Sequence, residues 1–67
     1  KMIKKSKEQI LREMLSIIRQ NPGIRPSELN RKLNIPHTWN LRKILIKRGL
    51  IRKEKNGSAV YYYPKKS

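Results

Sequence analysis

Apolar residues recur at helical spacing in three stretches of the chain, and the third stretch is the most informative. Leu41, Ile44 and Leu45 lie three and four positions apart, which predicts one buried stripe on a helix over residues 37–48. The opposite side of this helix carries one amide, three cations and no acid: Asn40, Arg42, Lys43 and Lys47. Gly49 follows at the place where a left-handed helix cap is expected.

The first stretch predicts an amphipathic helix of about 14 residues. Ser6 and Gln9 fit a capping box at its start, and Asn21-Pro22-Gly23 ends it with a turn. Its apolar face consists of Ile10, Leu11, Met14, Leu15, Ile17 and Ile18. Ile24 and Arg25 then form a short extended link, which is a candidate rung of a small sheet.

The second stretch predicts a helix of about two turns that begins at Pro26, a residue suited to the first helical position. Leu29 and Leu33 form its buried side, and Asn34-Ile35-Pro36 ends it because proline cannot lie inside a helix. Two helices joined by about three residues are the helix-turn-helix arrangement.

After Gly49 the pattern changes from helix to strand. Residues 50–55 and 59–63 read as strands on either side of Asn56-Gly57-Ser58, and Pro64 ends the second. Asn-Gly between extended runs predicts a hairpin whose two turn positions both favour positive φ.

The composition is dominated by positive charge. Eighteen Lys and Arg oppose four Glu, giving +14 on 67 residues. Self-repulsion of this size favours a polyanionic partner, with nucleic acid ahead of an anionic membrane surface. The length indicates one domain, over residues 6–64, between a basic arm (1–5) and a basic tail (65–67).

Several function classes are disfavoured by what the sequence lacks. Without Cys there is no disulfide framework, and one His with four dispersed Glu gives neither a metal cluster nor an acid–base pair. We therefore expect no enzyme, no cofactor, no small-molecule substrate and no membrane partner. An intracellular protein, cytoplasmic or nucleoid-associated, is favoured, and the absence of Cys and Asp beside abundant Lys, Arg and Ile favours a heat-adapted archaeal or viral source.

Residues 21–64 resemble the winged helix-turn-helix domains of bacterial and archaeal transcription regulators of the MarR, ArsR and Lrp kinds. The matching features are RPSEL opening the second helix, LNIP as the turn, LRKILIKRGLI as the third helix and strand entry, and a hairpin ending in VYYY. The resemblance covers about residues 8–64. It implies an α+β fold of three helices and a two-stranded wing, with double-stranded DNA as partner.

In such domains the third helix enters the major groove and the wing lies along the backbone or enters the minor groove. The base-reading candidates are His37, Thr38, Asn40, Arg42 and Lys43. The phosphate-contact candidates are Arg25, Ser27, Arg31, Lys47, Arg52, Lys53, Lys55, Asn56 and Ser58. Lys1, Lys4, Lys5, Lys7, Lys65 and Lys66 would add attraction that does not depend on base sequence.

Simpler interpretations stand beside these assignments. The cations could form only a solvated face, His37 and Ser27 could only cap helices, and wing lysines could only protect a strand edge from aggregation. Trp39 and Ile46 share a stripe beside the buried one. Packing of Trp39 into the small core is favoured, and an exposed partner surface is the alternative.

Three functions remain open on the sequence alone. The favoured one is a sequence-specific transcription regulator, a repressor or activator, with a homodimer formed through the first helix or the Trp39–Ile46 stripe as an open alternative. The second is an architectural or replication-associated binder with little sequence preference. The third is a winged-helix protein–protein adaptor.

Overall fold

The computed structural model of the protein describes residues 5–65. Three helices precede a two-stranded antiparallel hairpin: α1 (Lys7–Gln20), α2 (Pro26–Leu33), α3 (Trp39–Lys47), β1 (Ile51–Asn56) and β2 (Ala59–Pro64). The predicted α+β class and the order of elements are confirmed. The predicted basic arm and tail lie outside the described residues, apart from Lys5 and Lys65.

Helix α1 begins where the sequence predicts. The amide of Gln9 donates to the Ser6 hydroxyl at 3.2 Å, which satisfies one of the free donors at the helix start. The helix has the predicted 14 residues, and Leu11, Met14 and Ile18 on its apolar face are buried. The other elements pack against this face.

The link between α1 and α2 is a rung of the sheet, as predicted. Ile24 pairs with Tyr62 of β2, with the Tyr62 amide donating to the Ile24 carbonyl at 2.9 Å. The Gly23 amide donates to the Tyr62 carbonyl at 2.8 Å. Strand β2 therefore lies between Ile24 and β1, and the helix-turn-helix segment is fastened to the hairpin.

Helix α2 begins with Pro26 at its first position, as predicted, and ends at Asn34, which adopts a left-handed φ of 58°. Its N-cap is Arg25, and no side chain caps the helix. The simpler interpretation of Ser27 as an N-cap is therefore wrong, because Ser27 lies inside the first turn.

One small core joins all five elements. Its buried apolar members are Leu11, Met14, Ile18, Ile24, Leu29, Leu45, Ile51 and Tyr62. Leu41 and Ile44 pack against it from α3, so the predicted buried stripe of that helix is confirmed.

The hairpin turn differs by one residue from the prediction. Asn56 pairs with Ala59, so the turn is Gly57-Ser58, whereas the sequence predicts Asn56-Gly57-Ser58 between the strands. Gly57 has a positive φ of 65° and Ser58 does not. One class of two-residue hairpin turn needs positive φ only at its first position, and glycine adopts that conformation readily. In β1, Ile51 is buried and the residues after it are exposed.

Candidate nucleic-acid interface

The start of α3 is set by a hydrogen-bonded turn. The side-chain amide of Asn30 on α2 donates to the Pro36 carbonyl at 3.1 Å, and the Thr38 hydroxyl donates to the Asn30 side-chain oxygen. Thr38 becomes the N-cap, so the helix begins at Trp39 and not at residue 37 as predicted. His37 lies before the helix and is exposed, so the interpretation of His37 as the cap is also wrong.

Arg42 extends the hydrogen bonds of this turn to the hairpin. Its Nε donates to the Thr38 hydroxyl at 3.1 Å, and its Nη1 donates to the Tyr62 hydroxyl at 2.8 Å. The guanidinium also lies over the Tyr62 ring, 5.4 Å from the centroid. Arg42 is half-buried and engaged with protein groups on two sides, so it connects α3 to β2.

A groove of about 470 Å³ separates α3 from β1, and we call it the α3–β1 groove. Its lining residues are Trp39, Arg42, Lys43, Ile46, Ile51, Arg52, Lys53, Tyr62 and Lys65. Five of these are cations and none is an acid. The two elements that the sequence assigns to nucleic-acid contact therefore share one positively charged concavity.

Trp39 does not pack into the core. Its side chain is 59% exposed and that of Ile46 is 37% exposed, so the favoured prediction of core packing is wrong and the exposed alternative holds. Trp39 and Ile46 are exposed because they share a stripe with Lys43 that lies beside the stripe of Leu41 and Leu45, and only the latter faces the core. The Lys43 ammonium lies over the Trp39 ring, 4.9 Å from its centroid.

The five base-reading candidates differ in their accessibility. His37, Asn40 and Lys43 are exposed. Thr38 has no exposed surface, so its hydroxyl cannot reach a base, and it is corrected to a residue that shapes the turn. Arg42 is committed to Thr38 and Tyr62 in this structure. Base contact by the three exposed residues stays a prediction.

The phosphate-contact candidates are all exposed: Arg25, Ser27, Arg31, Lys47, Arg52, Lys53, Lys55, Asn56 and Ser58. Of these, Arg52 and Lys53 line the α3–β1 groove. Arg25 lies over the Tyr61 ring at 5.4 Å and Arg52 over the Tyr63 ring at 4.6 Å, which limits where their charges can reach. Their contact with phosphate stays a prediction.

No acidic side chain lines the groove, and three of the four Glu in the chain are paired with cations. Glu8 on α1 receives two hydrogen bonds from Arg48, at 3.0 and 2.7 Å, and Glu13 accepts from Lys5 at 2.8 Å. The hydrogen bonds from Arg48 hold the pKa of Glu8 below its ordinary value, and they raise the pKa of Arg48. Glu54 pairs with Arg52 on the wing.

Sequence reasoning missed that Ile51 and Tyr62 contribute to the groove. The signal was present in strand alternation, because residues directly opposite one another across a hairpin share a face. Lys53 pairs with Tyr62, and Ile51 is two positions before Lys53. The contact between Arg42 and Tyr62 spans 20 residues and has no local signal.

The fold and this site define a winged helix-turn-helix domain of the prokaryotic and archaeal transcription-regulator type. Over 56 residues the chain is 45% identical to an uncharacterized HTH-type transcriptional regulator of Methanocaldococcus jannaschii, and the match covers 79% of this chain. The chain spans only 14% of that relative's length. No family model matches the chain. Within residues 5–65, no helix is long and apolar enough to cross a membrane.

Proposed function

We propose that this domain binds double-stranded DNA and serves in transcription regulation, with α3 in the major groove and the hairpin on the flanking backbone. The observation that carries the proposal is the α3–β1 groove, lined by five cations and no acid. The similarity to an HTH-type transcriptional regulator supports the same assignment.

The electrostatics fit a duplex. DNA carries one negative charge per about 1.7 Å of helix axis, and each phosphate neutralised by a cation releases bound counterions. The exposed cations of α3 and the hairpin would be the ones neutralised: Lys43, Lys47, Arg52, Lys53 and Lys55. Association would also relieve the self-repulsion of a chain with charge +14.

The proposal divides the roles among three groups of residues. Asn40 and Lys43 are exposed in the first half of α3, the part of a recognition helix that usually meets base edges, and His37 is exposed just before the helix. The exposed wing cations, with Ser27 and Arg31 of α2, would contact phosphates and set the register. Arg42 would position the helix through its hydrogen bonds to Thr38 and Tyr62.

Two alternatives keep a physical basis. Non-specific binding by an architectural or replication-associated protein would use the same charges. An adaptor role is favoured by the exposure of Trp39 and Ile46, which that alternative predicts. The surrounding cations favour DNA over an adaptor, because a protein partner would have to neutralise or desolvate them.

Selection of bound duplexes from a random pool tests the proposal. The selected duplex should outcompete unrelated duplex by about a thousandfold or more at near-physiological salt. Equal competition would support the architectural alternative, and loss of all DNA retention at moderate salt would support the adaptor. Lys43→Ala removes one of the cations that line the groove. Arg19→Ala removes an exposed cation of α1 outside the groove and is the matched control.

Under this proposal the domain has no catalytic role and no small-molecule substrate, and it works in the compartment that holds the DNA. A homodimer is a further proposal. Symmetry in the selected site, with half-sites one helical turn apart, would support it, whereas a single undivided site would argue for a monomer.

A further inference from the structure

The exposed face of α3 is not purely cationic. Trp39, Lys43 and Ile46 lie four and three positions apart, so they form one stripe along the helix. Trp39 and Ile46 are the large apolar side chains that the structure leaves exposed within residues 5–65. A stripe that alternates apolar and cationic groups at the rim of a charged groove is unlike an ordinary solvated face.

Charge selects among the occupants that this stripe could take. A second copy of the chain would bring the same cations against Arg52, Lys53 and Lys65, and the two copies would repel each other. Duplex DNA brings phosphates to the cations. It also brings apolar groups, because the C5-methyl of thymine projects into the major groove.

We propose that Trp39 and Ile46 are specificity-determining residues that contact thymine methyl groups, so that the preferred site contains thymine at two defined positions. This inference rests on the proposed function and adds to it the kind of base that is read. The methyl group distinguishes thymine from the other bases by an apolar contact rather than by a hydrogen bond.

Helix geometry gives the spacing of the two thymines. Trp39 and Ile46 are seven residues apart, which is about 10.5 Å along the helix at 1.5 Å per residue. Base pairs follow one another at about 3.4 Å. A helix lying along the groove crosses the base pairs obliquely, so each base-pair step along it is longer than this axial rise. The two methyl contacts are then about two to three base pairs apart, on either strand, with Lys43 between them.

Lys43 helps to hold the tryptophan for this contact. Its ammonium lies 4.9 Å from the Trp39 ring centroid, so one face of the indole is occupied by a cation. The rest of the ring stays exposed, and in the complex it would lie against a methyl group rather than stack on a base. In the complex the same ammonium would also lie near the DNA backbone and the base edges.

Uracil substitution tests the inference directly. In the duplex selected from a random pool, each thymine is replaced singly by deoxyuridine, which removes the methyl group and leaves base pairing intact. At two positions about two to three base pairs apart, binding should weaken by about fourfold, the factor for one buried methyl group. Elsewhere in the site the change should have little effect.

Variants assign each position. Ile46→Ala should abolish the uracil effect at one position and Trp39→Ala at the other, while Arg19→Ala leaves both effects in place. All three side chains are exposed, so the variants should fold, and their circular dichroism and thermal midpoints check this. A methyl effect that survives both α3 variants would overturn the assignment.

The outcomes separate the inference from the proposed function. If the wild-type domain prefers its selected duplex but tolerates uracil at every position, the methyl contact is wrong and DNA binding stands. If no duplex is retained, both are wrong. If Trp39→Ala and Ile46→Ala change the sedimentation of the free protein but not its thymine discrimination, the stripe is a protein interface and the inference is overturned.

Discussion

Arg42 donates a hydrogen bond to the Tyr62 hydroxyl at 2.8 Å and lies over the ring of the same tyrosine. A half-buried cation of α3 thus holds that helix against β2, the inner strand of the hairpin. Arg42 also donates to the Thr38 hydroxyl, and that hydroxyl donates to the side chain of Asn30 on α2. The relative placement of α2, α3 and β2 depends on this connected set of side chains.

Arg42→Ala should lower the free energy of unfolding by about 1–3 kcal/mol, because it leaves the Thr38 hydroxyl and the Tyr62 hydroxyl without a charged donor. Arg42→Lys should not restore it, since an ammonium cannot reproduce the planar fork that serves both partners. Urea denaturation measures the change, with Arg19→Ala as a control near zero. Unchanged stability with weaker binding to the selected duplex alone would instead make Arg42 a base reader.

Asn40→Ala should weaken binding to the selected duplex by about 1–3 kcal/mol and leave unrelated duplexes unaffected, as expected for a bidentate contact with adenine. Asn40 is exposed on the first turn of α3, so its loss should not disturb the core. Titrations on both duplexes at one salt concentration give the comparison. An equal loss on both would remove Asn40 from base reading.

Lys53→Ala should weaken binding to every duplex alike. Lys53 lines the α3–β1 groove on the strand next to α3, where a phosphate contact carries no sequence information. The slope of log K against log salt should fall by about one unit. Arg19→Ala should leave the slope nearly unchanged, and a similar fall in that control would mean that only the total charge matters.

Leu45→Ala should destabilise the domain by about 2–5 kcal/mol, because Leu45 is 1% exposed and anchors the reverse side of α3 in the core. In a domain this small such a loss approaches the whole stability. Thermal unfolding followed by circular dichroism measures it. A midpoint close to that of the wild type would show that α3 is not held by this residue.

The ion pair between Glu8 and Arg48 should give a pH-dependent contribution to stability. Arg48 holds the pKa of Glu8 below its ordinary value in the folded state. The stabilisation is therefore present above the unfolded pKa and is lost as the pH falls through the folded one. The thermal midpoint of Glu8→Gln should lie below that of the wild type at pH 7, and the difference should vanish in acid.

Both residues of this pair are exposed, so the difference should be modest and should shrink in concentrated salt. A double-mutant cycle with Arg48→Gln separates the pair from the loss of an acidic group in the first turn of α1. A difference that persists at the lowest pH would show that the pair is not its source.

Elements with local signals could be predicted from the sequence. Ser6 and Gln9 specify the start of α1, Pro26 the start of α2, and Asn34-Ile35-Pro36 its end. Each depends on neighbours within four positions, which a linear pattern displays. The buried stripe of α3 follows from the same periodicity, with Leu45 at its centre.

The predictions that were wrong depend on contacts between residues far apart in the sequence. The start of α3 depends on Asn30, eight positions before Thr38, and the role of Arg42 depends on Tyr62, 20 positions later. The size of Trp39 favours the core on the sequence alone, but its angle around the helix decides its exposure. The set of cations that share the groove likewise depends on how α3 docks against the hairpin, which no local pattern displays.

The exposed outer half of the wing has a consequence for its motion. Beyond Ile51 the side chains of β1 are exposed, and on β2 Val60 still packs against the core, so the turn around Gly57 itself is held mainly by the ladder of backbone bonds. Its amides should exchange with solvent deuterium through local fraying, at a free energy well below that of global unfolding. A tip that opens alone could, under the proposed function, adjust to a DNA backbone of varying geometry without disturbing the helices.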